Sequence, residues 1–321
     1  MSKIVTLTFS PCIDKSTSVP QLMPEKKLQC ATPKLEPGGG GINVARAIKK
    51  LGGEAIAIFT SGGYTGKYFN HLLQQENITS ISIDTLNETR ENIIVFENST
   101  TNQYRFGMPP APLLESEWKA CLQAIEDVGD VEYIVASGSL PPGVPVNIFA
   151  QLSDIAQKKH AKLIVDTSGK GLEYAIASGV YFIKPNLSEL AMLAGVESVT
   201  KQNVVPVARK ILLNSKCNII VISMGMEGAV MITAGEVYYA VPPQVVRKST
   251  VGAGDSMVAG ITYALFKQMG LQDALSFGVA CGTAATMNSG TQLCKKNDAD
   301  RLFELIKNAD ITNHNIPSTR L

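Results

Sequence analysis

The stretch Gly252-Ala253-Gly254-Asp255 carries the most chemistry in this sequence. It follows Ser249-Thr250-Val251 and leads into an apolar run marked by Met257, Val258, Ile261 and Leu265, a spacing that predicts a helix over 253–268. Glycines let a backbone approach a ligand closely. The first N–H groups of a helix have no partners within it, and the helix dipole adds positive potential at that end. Together these make an anion hole suited to phosphate. An acid in this place has two readings. Asp255 is an ordinary first-turn helix residue, or it is there to take a proton, since beside bound phosphates a carboxylate is otherwise repelled. A base beside an anion hole is what phosphoryl transfer to a hydroxyl requires.

A second turn, Gly38-Gly39-Gly40-Gly41-Ile42-Asn43-Val44-Ala45, opens a helix over 42–51. It reads either as a flexible entry loop or as exposed backbone donors and acceptors with the Asn43 amide in the first helical turn. Neither turn is a known nucleotide fingerprint. Gly62-Gly-Tyr-Thr-Gly66-Lys67-Tyr68 has the outline of a P-loop and fails it: position 61 is serine, and Tyr68 replaces the hydroxyl residue that would hold magnesium.

The elements that must position these turns follow from periodicity. Strands are expected at 3–9, 54–60, 131–136, 162–166, 180–184 and 218–223, and helices near 145–158, 187–194, 203–214, 253–268, 271–288 and 298–307. Apolar strands alternating with helices predict a mostly parallel sheet covered on both faces. Residues 15–36, with three prolines, and 80–108, with alternating polar and apolar positions, break the rhythm. They read as a small β lid drawn from about 15–36 and 86–108, or as two edge hairpins, with a hairpin loop at 98–102. The α/β domain is expected to span 1–310, with a loose polar tail over 311–321.

Composition sets the class. The chain has 321 residues, 29 basic against 28 acidic ones, and a formal net charge of +1. Such a balance gives no support for nucleic acid or an anionic membrane as partner, so anion binding must be local. The six cysteines are scattered without a C-x-x-C pair and read as reduced thiols, and no two of the three histidines stand at ligand spacing. Asp14 arrives too early for a signal-peptide core, and no apolar run reaches the ~18 residues of a membrane span. A cytoplasmic protein is expected.

Taken together, the motifs resemble the ribokinase-like (PfkB-type) carbohydrate kinases. The glycine loop with Asn43-Val-Ala-Arg46 matches the family's N-terminal signature, and Ser249-Thr-Val-Gly-Ala-Gly-Asp255-Ser256 its C-terminal one. Between them, in family order, lie Ser137-Gly-Ser-Leu-Pro-Pro-Gly143, Val165-Asp-Thr-Ser-Gly169 and Lys184-Pro-Asn-Leu-Ser-Glu-Leu190. The likeness runs from about residue 3 to 308. Through Glu36-Pro-Gly-Gly-Gly-Gly-Ile-Asn43, Gln103-Tyr-Arg-Phe106 and Asn288-Ser-Gly-Thr-Gln-Leu-Cys294 it extends to the second type of bacterial 6-phosphofructokinase. The fold this implies is a three-layer α/β/α domain with a β lid, and relatives pair through that lid as homodimers.

The resemblance also implies roles. Asp255 takes the proton of the attacked sugar hydroxyl, and Gly252, Ala253 and Gly254 offer amides to the transferring phosphoryl group. Lys184, Asn186 and Glu189 face ATP and its magnesium, with Asn186 and Glu189 three apart on one helix face; Asn186 alone reads as a helix N-cap. Ser223, Gly225 and Gly228 form the nucleotide loop, otherwise a plain turn between strands. Asp14, Gly39 and Asn43 meet the sugar hydroxyls. Arg90 and Arg105, with Ser139 and Lys27, hold the substrate's own phosphate. A guanidinium fork on the lid suits a dianion, and a free sugar or a nucleoside gives it little to hold; the alternative is a pair of surface arginines. Ser249, Val251, Ala285, Asn288 and Gly290 match positions that hold potassium, although Gln292 stands where arginine is expected. The activity implied is ATP-dependent phosphorylation of fructose 6-phosphate, with fructose 1-phosphate and tagatose 6-phosphate as neighbouring substrates. A silent sugar-phosphate sensor on the same fold is the other class, which an intact base and anion hole argue against.

Overall fold

A computed structural model describes residues 3–314. Its main sheet has nine strands. In chain order they are β1 (Lys3–Thr8), β4 (Ala55–Ser61), β5 (Ser80–Asp84), β8 (Val131–Ser137), β9 (Lys162–Asp166), β10 (Phe182–Ile183), β11 (Ile219–Ser223), β12 (Ala229–Ile232) and β13 (Val237–Ala240). Their spatial order is β13-β12-β11-β10-β9-β8-β1-β4-β5. All neighbours are parallel except the β11–β12 and β12–β13 pairs, which are antiparallel.

Alternation along each strand feeds two cores. Ile4 of β1, Ala57 and Phe59 of β4 and Tyr133 and Val135 of β8 face one side. There they meet α1 (Gly40–Lys50), α2 (Gly63–Gln75), α8 (Ala253–Phe266), α9 (Leu271–Thr286) and α10 (Lys296–His314). Val5 and Leu7, Ile58, and Ile134 and Ala136 face the other side. That side packs on α3 (Glu115–Asp127), α4 (Ile148–Lys158), α5 (Lys170–Ala177), α6 (Leu187–Ala194) and α7 (Val204–Leu213). Burial on both faces is why these strands read as near-continuous apolar runs. The result is the expected three-layer α/β/α architecture with a ribokinase-like fold.

The lid is a separate four-stranded sheet in the order β3-β2-β6-β7, built from β2 (Cys12–Val19), β3 (Lys34–Gly38), β6 (Arg90–Glu97) and β7 (Gln103–Phe106). The turn at 98–102 is a hairpin loop as expected, with Phe96 opposite Gln103. Two boundaries differ from the sequence reading. The lid begins at Cys12, so Asp14 is a lid residue paired across from Asn92. Ser80–Asp84 belongs instead to the edge of the main sheet, parallel to β4. A half-buried edge strand and a hairpin arm alternate in the same way, so periodicity alone does not separate them. Helices α2, α3 and α5 were not anticipated, and the P-loop look-alike is the start of α2. The last helix runs to His314, past the expected tail boundary at 311, and 315–321 lie outside the described residues. Among the described residues no helix is long and apolar enough to cross a membrane.

The four glycines before α1 form a contact surface for backbone, not a flexible entry. A Cβ on Gly40 would meet Ser137 Oγ at 2.3 Å and Gly138 N at 2.7 Å; one on Gly41 would meet Leu7 O and Thr8 Oγ1, both at 2.5 Å. The helix start is therefore pressed directly onto the carboxyl ends of β1 and β8. Gly41→Ala has a strand carbonyl to displace, and overpacking of this kind costs about 1–3 kcal/mol. Urea unfolding should show the unfolding free energy falling by that amount, through a lower midpoint at an unchanged slope.

Candidate active site

A cavity of about 440 Å³ lies between the lid and the carboxyl edge of the main sheet, lined among others by Asp14, Gly39, Asn43, Arg90, Arg105, Ser139, Glu189, Val251 and Asp255. Ligands of open α/β sheets bind outside the carboxyl ends of the strands, where this cavity sits.

Its floor is the start of α8. Gly252 is the N-cap, at φ 73°, in the left-handed region that glycine adopts at little cost, and a Cβ there would also strike Leu293 Cδ2 at 2.7 Å. Ala253 N leans back on Thr250 O at 3.4 Å, and the helical ladder begins with Ser256 N donating to Gly252 O at 2.8 Å. The amides of Gly254 and Asp255 precede that ladder and belong to the unpaired first turn. Lys184 reaches the same place: a Cβ on Gly254 would lie 3.5 Å from Lys184 Nζ.

Asp255 accepts a bond from Asn43 Nδ2 at 2.9 Å. Its pKa is raised to about 6, first by burial and then by the nearby Asp166 and Asp14 carboxylates, against the pull of Asn43 and Lys184. Lys184 lies 3.5 Å from Asp166 Oδ1. Burial works against its charge, but Asp166, Asp255 and Glu189 outweigh burial and hold its pKa above the ordinary lysine range. Asp14 also titrates above the usual carboxylate range because of burial, opposed by bonds from Asn92 Nδ2 at 3.0 Å and Cys12 Sγ at 3.4 Å and by Arg90.

The roof carries the arginines. Arg90 donates from Nη1 to Met108 O at 2.8 Å and from Nη2 to Ser10 O at 3.2 Å, and Arg105 Nη2 donates to Thr250 Oγ1 at 2.9 Å. Among the described residues both guanidiniums thus bond neutral oxygens. The buried Arg90 Nε and Ser10 Oγ have no partner there. Both residues line a pocket of about 20 Å³, room for a single bridging water.

Asn186 is the N-cap of α6 in a reciprocal capping box: Asn186 N donates to Glu189 Oε2 at 2.8 Å and Glu189 N to Asn186 Oδ1 at 2.9 Å. One carboxylate oxygen of Glu189 and the Asn186 amide nitrogen remain for a ligand. Ser223 pairs beside Asn186 at the end of β11, and Gly225 and Gly228 shape the turn into β12 at φ 64° and 89°. These residues lie outside the cavity lining, at the neighbouring part of the strand edge. Lys27 is exposed on the loop between β2 and β3 and does not line the cavity either.

The residues expected around a cation fall into two bonded groups. Ser249 Oγ donates to Gly290 O at 2.7 Å, Val251 N to Ser249 Oγ at 3.2 Å, and Asn288 N to Ala285 O at 3.1 Å. Backbone carbonyls of this kind are the neutral oxygen donors that replace a potassium hydration shell, so the residues fit such an ion. Gln292 lines a different pocket, with Lys34 and Lys50. Among the described residues no group of three or more His, Cys, Asp or Glu could hold a metal.

Sequence reasoning passed over Asp166, Asn92, Cys12 and Thr250. Asp166 had a signal, as an acid ending an apolar strand. Thr250 stood within the quoted signature but had no expected partner until Arg105 met it; Cys12 and Asn92 had no signal, because only cross-strand pairing in the lid brings them to the cavity.

Comparison with known proteins decides the family: residues 7–298 match the model of the pfkB family carbohydrate kinases. The chain belongs to the pfkB family of carbohydrate kinases. It is similar to the ATP-dependent 6-phosphofructokinase isozyme 2 of Escherichia coli (strain K12), 42% identical over 304 residues, 94% of this chain and 98% of that one. The crystal structure of the phosphofructokinase-2 from Escherichia coli in complex with fructose-6-phosphate matches with a TM-score of 0.90 and 40% identity, over 96% of this chain and 100% of that one. The same protein in complex with potassium matches with a TM-score of 0.91 and 42% identity, over 96% and 100%. As a pfkB kinase the chain is an enzyme, and its fold and signature residues agree with that membership.

The raised pKa of Asp255 sets a pH test. Its folded pKa of about 6 lies above the ordinary 3.8, so ionising it destabilises the folded state as pH rises through that window. Asp255→Asn should raise stability at pH 7.5 by about 1–2 kcal/mol, allowing for screening by cavity water, with no gain near pH 3.5. Thermal melts at the two pH values check this; a gain that does not shrink at low pH would contradict it.

Proposed function

We propose that this chain transfers the terminal phosphoryl group of ATP to the 1-hydroxyl of fructose 6-phosphate, giving fructose 1,6-bisphosphate and ADP. One observation carries the reading. Arg90 and Arg105, which among the described residues bond neutral oxygens, line the same cavity as Asp255 at a helix N-terminus. Two cations so placed suit a substrate that already bears a phosphate. A carboxyl with a pKa of about 6 is largely ionised at neutral pH and close enough to it to accept a hydroxyl proton. The relatives named for fructose 6-phosphate chemistry support the choice of sugar.

In this reading Asp14 and Asn43 orient the sugar hydroxyls, and Arg90, Arg105 and Ser139 hold its phosphate. Asp255 takes the proton of the attacking hydroxyl, and the amides at 252–254 with Lys184 steady the charge on the transferring group. The nucleotide lies along Asn186, Ser223, Gly225 and Gly228. Glu189 and Asn186 would stand nearest a magnesium ion, which would supply charge neutralisation for the ATP phosphates. Ser249, Val251, Ala285, Asn288 and Gly290 would hold a potassium ion, which would help to shape the anion hole. The lid leaves β3 and β7 as open edges, and a second copy pairing there would cover them; Lys27, exposed beside β3, then lies near the copy-to-copy contact. We take the compartment to be the cytoplasm, in keeping with six free cysteines.

Initial rates with magnesium-ATP and potassium on fructose 6-phosphate, fructose 1-phosphate and tagatose 6-phosphate test the reading. Fructose 6-phosphate should give the highest kcat/KM, and Asp255→Asn should lower kcat about 10²–10⁴-fold. Arg90→Ala should raise the KM for the sugar phosphate about 10–100-fold with kcat less affected. Tetramethylammonium in place of potassium should slow the enzyme, and an unchanged rate would remove the cation role. A higher kcat/KM on another sugar phosphate would overturn the substrate while leaving the base in place. Folded protein that phosphorylates none of the three would favour the sensor.

A further inference from the structure

Asn43 stands between a group that can only donate and one that, when ionised, can only accept. Its Nδ2 donates to Asp255 Oδ2 at 2.9 Å, and its Oδ1 accepts from Arg46 Nη1 at 3.4 Å. A guanidinium has five donors and no acceptor, and a carboxylate has no donor. Only one orientation of the amide satisfies both neighbours. The opposite flip sets Oδ1 against the Asp255 carboxylate and the NH2 group against the guanidinium, and it is tolerated only when Asp255 carries a proton.

Arg46 is unable to turn away from this task. It is 2% exposed on α1. Its Nε donates to Glu76 Oε2 at 2.7 Å, its Nη2 to Glu76 Oε1, and its Nη1 also to Pro37 O at 2.7 Å. Glu76 caps the end of α2 and holds a depressed pKa: burial opposes its charge, but Arg46 overcomes it. Glu36 of the lid strand lies 3.7 Å from Arg46 and accepts from Thr291 Oγ1 at 2.8 Å, closing the cluster on its far side. This is more fixation than an arginine needs to fill space, and its free edge points at the amide that touches the base.

We infer that Arg46 is a positioning residue for phosphoryl transfer: anchored by Glu76, it fixes the flip of Asn43 and so presents the amide N–H to Asp255. The inference rests on Asp255 acting as the base. It adds a source of control from a residue that does not itself line the cavity.

The charged and polar groups facing Asp255 come from four elements: Asp166 at the end of β9, Lys184 after β10, Asp14 and the Cys12 thiol from β2, and the neutral Asn43 amide from α1. Asp166 and Asp14 favour the protonated acid, while Lys184 and Asn43 favour the carboxylate. Loss of Arg46 frees Asn43 to turn its oxygen to Asp255, and the amide then changes sides in that balance.

The test is Arg46→Met, read in two ways. One is the kcat–pH profile from pH 5 to 9. The other is the titration of the Asp255 carboxyl carbon by 13C NMR in ligand-free protein, assigned with Asp255→Asn. Substrate phosphates titrate identically with both enzymes, so a difference in profile reads the protein. Both midpoints should rise by about one pH unit, the scale on which one hydrogen bond biases a titration. Arg46→Lys serves where Arg46→Met does not fold. It keeps the buried charge and a bond to Glu76, but one ammonium replaces the fork, and the midpoint moves in the same direction. An NMR midpoint unchanged in a folded variant overturns the inference, whatever happens to kcat. An NMR midpoint that rises without a shift in the kcat profile upholds the positioning role and sinks the base role of Asp255 instead.

Discussion

The Asn43–Asp255 bond joins two helix starts that are 212 residues apart in sequence. Much of the site depends on that meeting. It requires α1 to rest directly on the ends of β1 and β8, which the close backbone contacts of Gly40 and Gly41 permit. It requires α8 to begin in a left-handed turn at Gly252, which aims its first amides and Asp255 into the same cavity. Two helix N-termini converging on one space supply positive potential without a buried cation for every charge. A substrate that brings several phosphate charges finds the field already in place.

Both signs of charge meet in the cavity. The lid brings Arg90, Arg105 and Asp14, and the ends of the main-sheet elements bring Asp255 and Asp166, with Lys184 3.5 Å from Asp166. Crowded carboxylates and burial raise the pKa of Asp255, and this makes it a better proton acceptor than an exposed acid. The cost falls on the folded state, which carries a partly desolvated carboxylate at neutral pH. Such a cost persists because the surroundings hold it: the ion cluster of Arg46, Glu76 and Glu36 and the capping box of Asn186 and Glu189 tie the site to rigid elements.

The lid links substrate recognition to chemistry. Arg105 on β7 bonds Thr250 on the loop that leads into the anion hole, so the two ends of the cavity are in contact when the lid lies over the sheet. Asp14 and Asn92 sit opposite each other on paired lid strands, and the same Asn92 accepts from Met108 N at 3.1 Å. One sheet therefore sets both Asp14 and the segment that braces Arg90.

The amino-acid sequence by itself determined the layer architecture and the two glycine turns, and it left Asp255 with two readings between which only the family resemblance chose. The first two are local signals: burial on both faces makes strands apolar, and a glycine turn before an apolar run marks a helix start. Arg90 and Arg105 were legible as cations on a lid, because the segment that carries them has its own alternation. Only the tertiary structure decided where the lid ends, since the β5 edge strand alternates as a hairpin does. It alone brought Asp166, Asn92 and Cys12 to the cavity, set Thr250 against Arg105 and left Lys27 outside the lining. It also gave Arg46 a purpose beyond filling the core. Those outcomes come from pairing and packing between segments distant along the chain, and neither residue type nor spacing encodes which partner a buried donor will meet.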